Sequence, residues 1–464
     1  MPHRGVELYR TLLASLSVAP HSKSITVAPP MPSKRVPVAI VGAGLTGMST
    51  SYHLRSLGIQ HRLLERCPEP GGLAKTVEQH GFRFDKTGHL LHLRDPQMRD
   101  LALSLLGHGD IAIERCSMVW SHGRFTRYPY QANTFGLPPN VAYECVMGFI
   151  QARQKSYPET PANFEQFCHQ HFGDGFSKHF MIPYNCRLWG VHPQEITAEW
   201  CCRFVPIPTL EDVIAGAVGH ASRELGYNAA FYYPREGIGA LTKALAQLIG
   251  SVECNKEVLS VDADNKRLEL ADGECVSYDV LVTTMPLDRL VGAMGCVPRS
   301  VQQAVSGLRC SSLHYLDVAL DVPSGRPFHW VYVPEEKYPF YRVGVYSNFS
   351  REMAPDGKAC LYIELADRHA PDLASLVPEV ASGLVEMGFI ERPEQLLFAL
   401  HRTIDHAYVI YDCAYGESVA TVQAFLMERS IISRGRYGGW DYSSMEDALL
   451  YGRDAARMVA EMLC

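Results

Sequence analysis

An α/β fold is predicted for this 464-residue chain by three observations. A buried-strand pattern, Val36-Pro37-Val38-Ala39-Ile40-Val41, runs straight into Gly42-Ala43-Gly44-Leu45-Thr46-Gly47. A helix-like run to about Leu57 follows, and then a second strand, Arg62-Leu63-Leu64, that ends on Glu65. Further strand patterns recur much later, at Val280–Thr284 and through residues 310–365. The first two features form a βαβ dinucleotide-binding fingerprint. Gly42 permits the tight turn, Gly44 lets the backbone approach a pyrophosphate, and Gly47 allows close packing of helix on strand. Leu45 and Thr46 open the helix, whose N–H groups and positive dipole end suit phosphate. Glu65 is placed to accept hydrogen bonds from a ribose, with Arg66 beside it.

Taken in order, the other segments extend this reading. Residues 1–35 are expected to be a mobile extension, with Pro20, Pro29, Pro30 and Pro32 opposing regular structure in its later half. Val6 to Leu16 has the pattern of a short amphipathic helix, and a secretory signal's apolar region and cleavage site are absent. Gly71-Gly72-Leu73-Ala74 comes directly after the second strand. A cofactor that continues past the ribose needs such a second glycine-rich approach, which favours FAD over NAD and adds Gly72 and Leu73 as binding candidates. Helical periodicity dominates from about 95 to 230. A loop at 231–239, a helix at Ala240–Ile249 and a hairpin formed by Val258–Ala263 and Arg267–Leu270 come next, and Met445–Leu463 reads as a closing helix. These elements predict a Rossmann-type FAD-binding domain assembled from residues 36–95, 231–295 and 426–464. A mainly helical substrate region, 96–230, and a β-sheet substrate region, 296–425, are inserted between its parts.

Composition narrows the function. Hydrophobic residues make up 47% and charged residues 20%, as in an ordinary globular enzyme. The 43 basic and 50 acidic residues leave a net charge of −7, which disfavours general nucleic-acid binding. No apolar run reaches the length of a membrane span. The 14 cysteines are scattered without a CxxC pair, so no metal module is expected. Adjacent Cys201 and Cys202 could close a vicinal disulfide, but reduced thiols in a cytoplasmic protein are the expectation.

Six further segments carry a resemblance. They are Phe84-Asp85-Lys86-Thr87-Gly88-His89, Tyr128-Pro129-Tyr130-Gln131, Pro183 to Trp189, Pro339 to Asn348, Asp405 to Tyr408, and Gly435 to Tyr442. From about residue 36 to 460 the chain resembles the UDP-galactopyranose mutase branch of the amine oxidase and porphyrinogen oxidase superfamily. The resemblance implies a mobile loop carrying His89 over the flavin, and a uracil contact from Tyr128 and Gln131. It implies an active-site helix bearing Asn185 and Trp189. Arg342, Arg436, Tyr408 and Tyr442 would contact a diphosphate, and Val258 and Arg436 would also border the cofactor. Tyr332 could stack on or border a nucleobase. An isolated arginine is more often a surface or ion-pair residue, but these motif contexts favour ligand roles for Arg342 and Arg436.

The implied activity is pyranose–furanose interconversion of a nucleotide sugar, as in cell-surface polysaccharide biosynthesis. Reduced FAD would act through N5 as nucleophile at the anomeric carbon, with NADPH or NADH as reductant. An FAD-dependent oxidoreductase of the amine or porphyrinogen oxidase type is the alternative. Four positions depart from the family pattern: Thr87 replaces the first glycine of a Gly-Gly-His, and Glu446 replaces an asparagine. Arg203 falls one place early, and Phe349 stands where tyrosine is common. An acid at Glu446 would repel a diphosphate unless protonated or turned away.

Overall fold

The computed structural model describes residues 34–107, 112–200, 205–220 and 230–464. Cys201, Cys202, Arg203 and the extension up to residue 33 lie outside them. Two seven-stranded sheets organise the chain. The first has a parallel centre, in which Lys34–Val41 lies between Cys275–Thr283 and His61–Leu64. Val252–Glu253 extends one edge, and Ile431–Ser433 pairs with the far half of Cys275–Thr283. The hairpin of Val258–Asp262 and Arg267–Leu270 joins its near half antiparallel.

A parallel sheet has both faces covered, and successive residues of its central strand serve opposite cores. Val38 and Ile40 join Met98, Leu245, Leu449 and Val459 on one face. Ala39 and Val41 join Leu281, Val422 and Phe425 on the other. The first core draws on helices Leu45–Ser56, Pro96–Leu106, Gly239–Ile249 and Met445–Leu463. Leu45–Ser56 and Met445–Leu463 cross closely enough for the Ser49 hydroxyl to donate to the Leu449 carbonyl at 2.6 Å.

The second sheet runs Leu396–Val409, Cys310–Leu320, Ala359–Leu365, Phe340–Val345, Trp330–Tyr332, Ser117–Ser121 and Arg124–Arg127. All its pairings are antiparallel except that between Trp330–Tyr332 and Ser117–Ser121. The helices Pro139–Gln154, Phe164–Phe176 and Ile182–Trp189 bury an aromatic core that also contains Tyr341 and Tyr408 from this sheet. Tyr128, Tyr332, Tyr442 and Leu73 pack against that core. Leu73 belongs to the second glycine turn, so the core links the dinucleotide-type half to the second sheet.

Candidate active site

The glycine turn is held from several sides. Gly42 N–H donates to Leu64 O at 2.8 Å, and Gly71 N–H donates to Ala43 O at 2.8 Å. A Cβ on Gly47 would lie 1.8 Å from Gly42 O, so only glycine fits there. A Cβ on Gly72 would lie 3.1 Å from the Cα of Gly44, so the two turns face each other without side chains between them. Helix Leu45–Ser56 has no side-chain cap at Gly44. Its first N–H groups thus remain available to an anion. Buried Glu65 accepts from Ala43 N at 2.7 Å through one oxygen and from Cys67 N at 2.9 Å through the other. A carboxylate has about four acceptor sites, so both oxygens retain capacity for ribose hydroxyls. A bare, glycine-lined cradle beside an uncapped helix and a fixed carboxylate fits a dinucleotide such as FAD.

The other cofactor candidates are spread around this cradle. Thr46 is buried and Arg66 exposed. Val258 is buried in the core of the edge hairpin. The segment leading to it reaches the cradle through Lys256 N, which donates to Glu65 O at 2.8 Å.

Across the molecule, the substrate candidates from separate segments form one aromatic cluster. Tyr128 and Tyr332 pack at 4.8 Å between centroids with their planes tilted by 38°, and Tyr184 meets Tyr332 edge-on at 5.2 Å. The Arg342 guanidinium lies 5.4 Å from the Tyr332 ring centre. Arg436 lies 4.8 Å from the Tyr442 ring and 5.9 Å from that of Tyr408, and those two rings are 5.9 Å apart. Burial raises the Tyr408 phenol, and the charges of both Arg342 and Arg436 act on it in the opposite sense. Tyr408 is therefore a neutral hydrogen-bond donor at physiological pH.

The arginines differ in how their charge is spent. Arg342 gives Nη1 to Glu364 at 3.2 Å and Nη2 to the Tyr184 hydroxyl at 2.8 Å. Arg436 gives Nη1 to Ser443 O at 2.9 Å and Nη2 to Ala407 O at 2.7 Å. Among the described residues no carboxylate pairs with Arg436, so its positive charge remains available to an anionic ligand. His89 lies in the field of this charge. Burial lowers its pKa to about 4, and the Arg436 charge acts in the same sense. It is a neutral imidazole at pH 7.

Asp85 anchors the root of the His89 loop. Its buried carboxylate accepts from Thr76 Oγ1 and from the Tyr233 hydroxyl, each at 2.6 Å, and from Ile238 N at 3.2 Å. Tyr346 donates to the Asp85 carbonyl at 2.7 Å. Burial raises the Asp85 pKa from 3.8 to about 7. Between those pH values the folded chain holds a proton that the unfolded chain has lost, so this group's contribution to stability declines as pH rises through the window. Asp85→Asn removes the titration. Its thermal midpoint is expected to fall less steeply than the wild type's between pH 4 and 7, and identical slopes in a pH series of melts would refute this.

Other candidates support the cluster rather than entering it. Asn185 accepts from Trp189 Nε1 at 3.1 Å and donates to Met181 O at 2.7 Å, all within one stretch of helix. The Trp189 ring backs Tyr408 at 5.6 Å and Tyr442 at 5.9 Å. Gln131 is buried and gives its amide to Pro206 O at 2.7 Å. Buried Glu446 accepts from the backbone amides of Arg94 and Asp95, which commits it to the loop before helix Pro96–Leu106. Phe349 packs in the core against Tyr233 at 5.0 Å and Phe231 at 5.8 Å. The structure adds Tyr184 and Glu364 to the site. Glu364 is a lone charge in the otherwise apolar strand Ala359–Leu365, which was the one available sequence signal.

Residues 40–105 match the NAD(P)-binding Rossmann-like domain family. The structure is similar to a crystal structure of reduced UDP-galactopyranose mutase, with a TM-score of 0.86 and 28% identity over 92% of this chain and 96% of the other. It is similar in fold to an Exiguobacterium protein assigned as a protoporphyrinogen oxidase, with a TM-score of 0.72 and 16% identity over 93% and 100% of the two chains. A putrescine oxidase variant gives 0.65 and 15% over 93% and 100%. Fold and cradle define an α/β protein with a Rossmann-type dinucleotide-binding domain, and these matches point to an FAD-type cofactor. In its structure the chain is UDP-galactopyranose mutase-like, and it shares its fold with the two oxidases.

Proposed function

We propose that this chain is a flavoenzyme that interconverts the pyranose and furanose forms of a nucleotide sugar. The observation that carries this reading is Arg436, a site cation without a carboxylate partner among the described residues, set against the tyrosine pair Tyr408 and Tyr442. Two phosphate charges in a net-acidic protein call for such a cation. Arg436 would bind the diphosphate and stabilise the charge that grows on it as the sugar departs. Tyr408 and Tyr442 would add hydroxyl donors, and the Tyr128–Tyr332 pair would hold the base. Reduced FAD, when bound, would supply the nucleophile N5, with NADPH or NADH as its reductant. Burial around Arg342, Tyr341 and Tyr408 would keep water from competing at the anomeric carbon.

The FAD-loaded protein incubated with a panel of UDP- and other nucleotide sugars is expected to form furanose product only with dithionite or NADPH present. Reductant should not be consumed in proportion to product. One observation favours an oxidoreductase instead: Glu364 already neutralises Arg342, which halves the cationic charge offered to a diphosphate. Oxygen uptake with hydrogen peroxide release in the same assay would decide for that reading.

A further inference from the structure

Helix Ile182–Trp189 is the last part of a helical stretch that continues from Phe164–Phe176 through Ser177–Met181, and it serves two parts of the site. Tyr184 holds Arg342 through its hydroxyl, and Trp189 backs Tyr408 and Tyr442. The far end of this stretch takes its position from tertiary contacts as well. Two arginines supply them in opposite directions. Buried Arg187 leaves the helix and gives Nη2 to Tyr338 O at 2.6 Å and Phe340 O at 2.7 Å, at the start of the strand that carries Arg342. Arg368 lies just past the strand that carries Glu364 and reaches back to the helix. Its Nη2 donates to Leu188 O at 2.7 Å and to Arg187 O, and its Nη1 donates to Ser312 O at 3.0 Å.

The chemistry of the helix end explains the second contact. The last carbonyls of a helix have no partner within it, and a cation there is favoured by the helix dipole. Gly190 ends the helix at a φ of +73°, and a Cβ on it would lie 2.6 Å from Arg368 Nε. Glycine thus leaves the space through which the guanidinium enters. A single fork reaches carbonyls of both the helix and Ser312, which the point charge of a lysine cannot reproduce. Arg342 and Arg368 lie at 5.9 Å and 5.8 Å from the ring of Tyr341, so the clamp and the site share this buried tyrosine.

We propose that Arg187 and Arg368 are positioning residues, a reciprocal clamp that fixes helix Ile182–Trp189 against strands Phe340–Val345 and Ala359–Leu365 and so holds Tyr184 on Arg342 for diphosphate binding. The diphosphate part rests on the nucleotide-sugar reading. The test is a double-mutant cycle on the FAD-loaded protein, with UDP affinity read by calorimetry for wild type, Arg368→Gln, Tyr184→Phe and the double variant. Each single change is expected to weaken UDP binding roughly tenfold, the scale of one charged hydrogen bond. The double variant should be no weaker than the worse single, because both remove one connected effect. Losses that multiply to roughly a hundredfold would show independent action and overturn the clamp.

Amide hydrogen exchange decides the clamp without UDP. In Arg368→Gln, exchange at 188–190 should quicken at least tenfold while strand Lys34–Val41 is unchanged; unchanged exchange at 188–190 overturns the proposal. If wild type does not bind UDP, the uridine form of the nucleotide-sugar reading fails and exchange alone decides the clamp. If Arg368→Gln does not fold, Arg368→Lys takes its place in both experiments. It retains the charge and loses the fork, and it is held to the same outcomes.

Discussion

Arg436→Ala is expected to lower nucleotide-sugar turnover by roughly 10²- to 10³-fold while flavin content stays normal. The size follows from how the two site arginines are engaged. Arg342 is half of a buried ion pair with Glu364, whereas Arg436 bonds to two backbone carbonyls. The charge developing on a leaving diphosphate thus has Arg436 as its main cation. Removing it leaves no buried carboxylate unpaired, so the fold should tolerate the change. Arg342→Ala behaves differently, because it strands Glu364, which is 1% exposed, without its partner. That variant should lose stability as well as activity. Arg342→Lys is the cleaner comparison: it keeps the charge, loses the fork and should cost less than Arg436→Ala. Steady-state rates with flavin absorbance and melting curves for these variants check the order. Full activity in Arg436→Ala with flavin retained would remove the nucleotide-sugar reading.

Gly47→Ala is expected to abolish flavin binding and to destabilise the fold by more than about 4 kcal/mol. The new Cβ would lie 1.8 Å from the Gly42 carbonyl oxygen and 3.6 Å from the Ile40 side chain. The nearer contact is backbone in the tightest part of the turn, so no rotamer relieves it. Moving the helix away would instead pull its first N–H groups from the phosphate cradle and break its close packing on Met445–Leu463. Gly292→Ala, with nothing within 4 Å, is the control and should behave as wild type. Flavin content and urea midpoints of the purified variants test the contrast, and a flavin-loaded Gly47→Ala of normal stability would sink it.

Local signals were legible in the sequence, and long-range ones were not. The fingerprint predicts a strand, turn, helix and strand to within about two residues of those observed, because its pattern is dictated by neighbours in the chain. Strand Cys275–Thr283 begins five residues before the expected Val280, since its first half pairs antiparallel with a hairpin on one side and parallel with residues 34–36 on the other. The hairpin Ser117–Ser121 and Arg124–Arg127 was hidden in a stretch of helical periodicity. Its turn, His122-Gly123, has positive φ at both residues, 53° and 71°, and the glycine was the available cue. In the site, motif context singled out Arg342, Arg436, Tyr408 and Tyr442, but no local pattern reveals that Glu364 neutralises one arginine and not the other. That depends on strand register, which sets Arg342 opposite Glu364.

The interleaving of the two sheets also bears on how the molecule is made. Ile431–Ser433 and helix Met445–Leu463 complete the first sheet and one of its cores, although that sheet begins at Lys34. Arg436 and Tyr442 arrive with the same terminal stretch. During synthesis the N-terminal strand, turn and helix therefore wait for almost the entire chain before their apolar face is covered. Contacts of such long sequence separation form slowly. The first sheet can be completed only after residues 431–463 have left the ribosome, and a chain truncated before residue 431 would expose the apolar surface that chaperones bind.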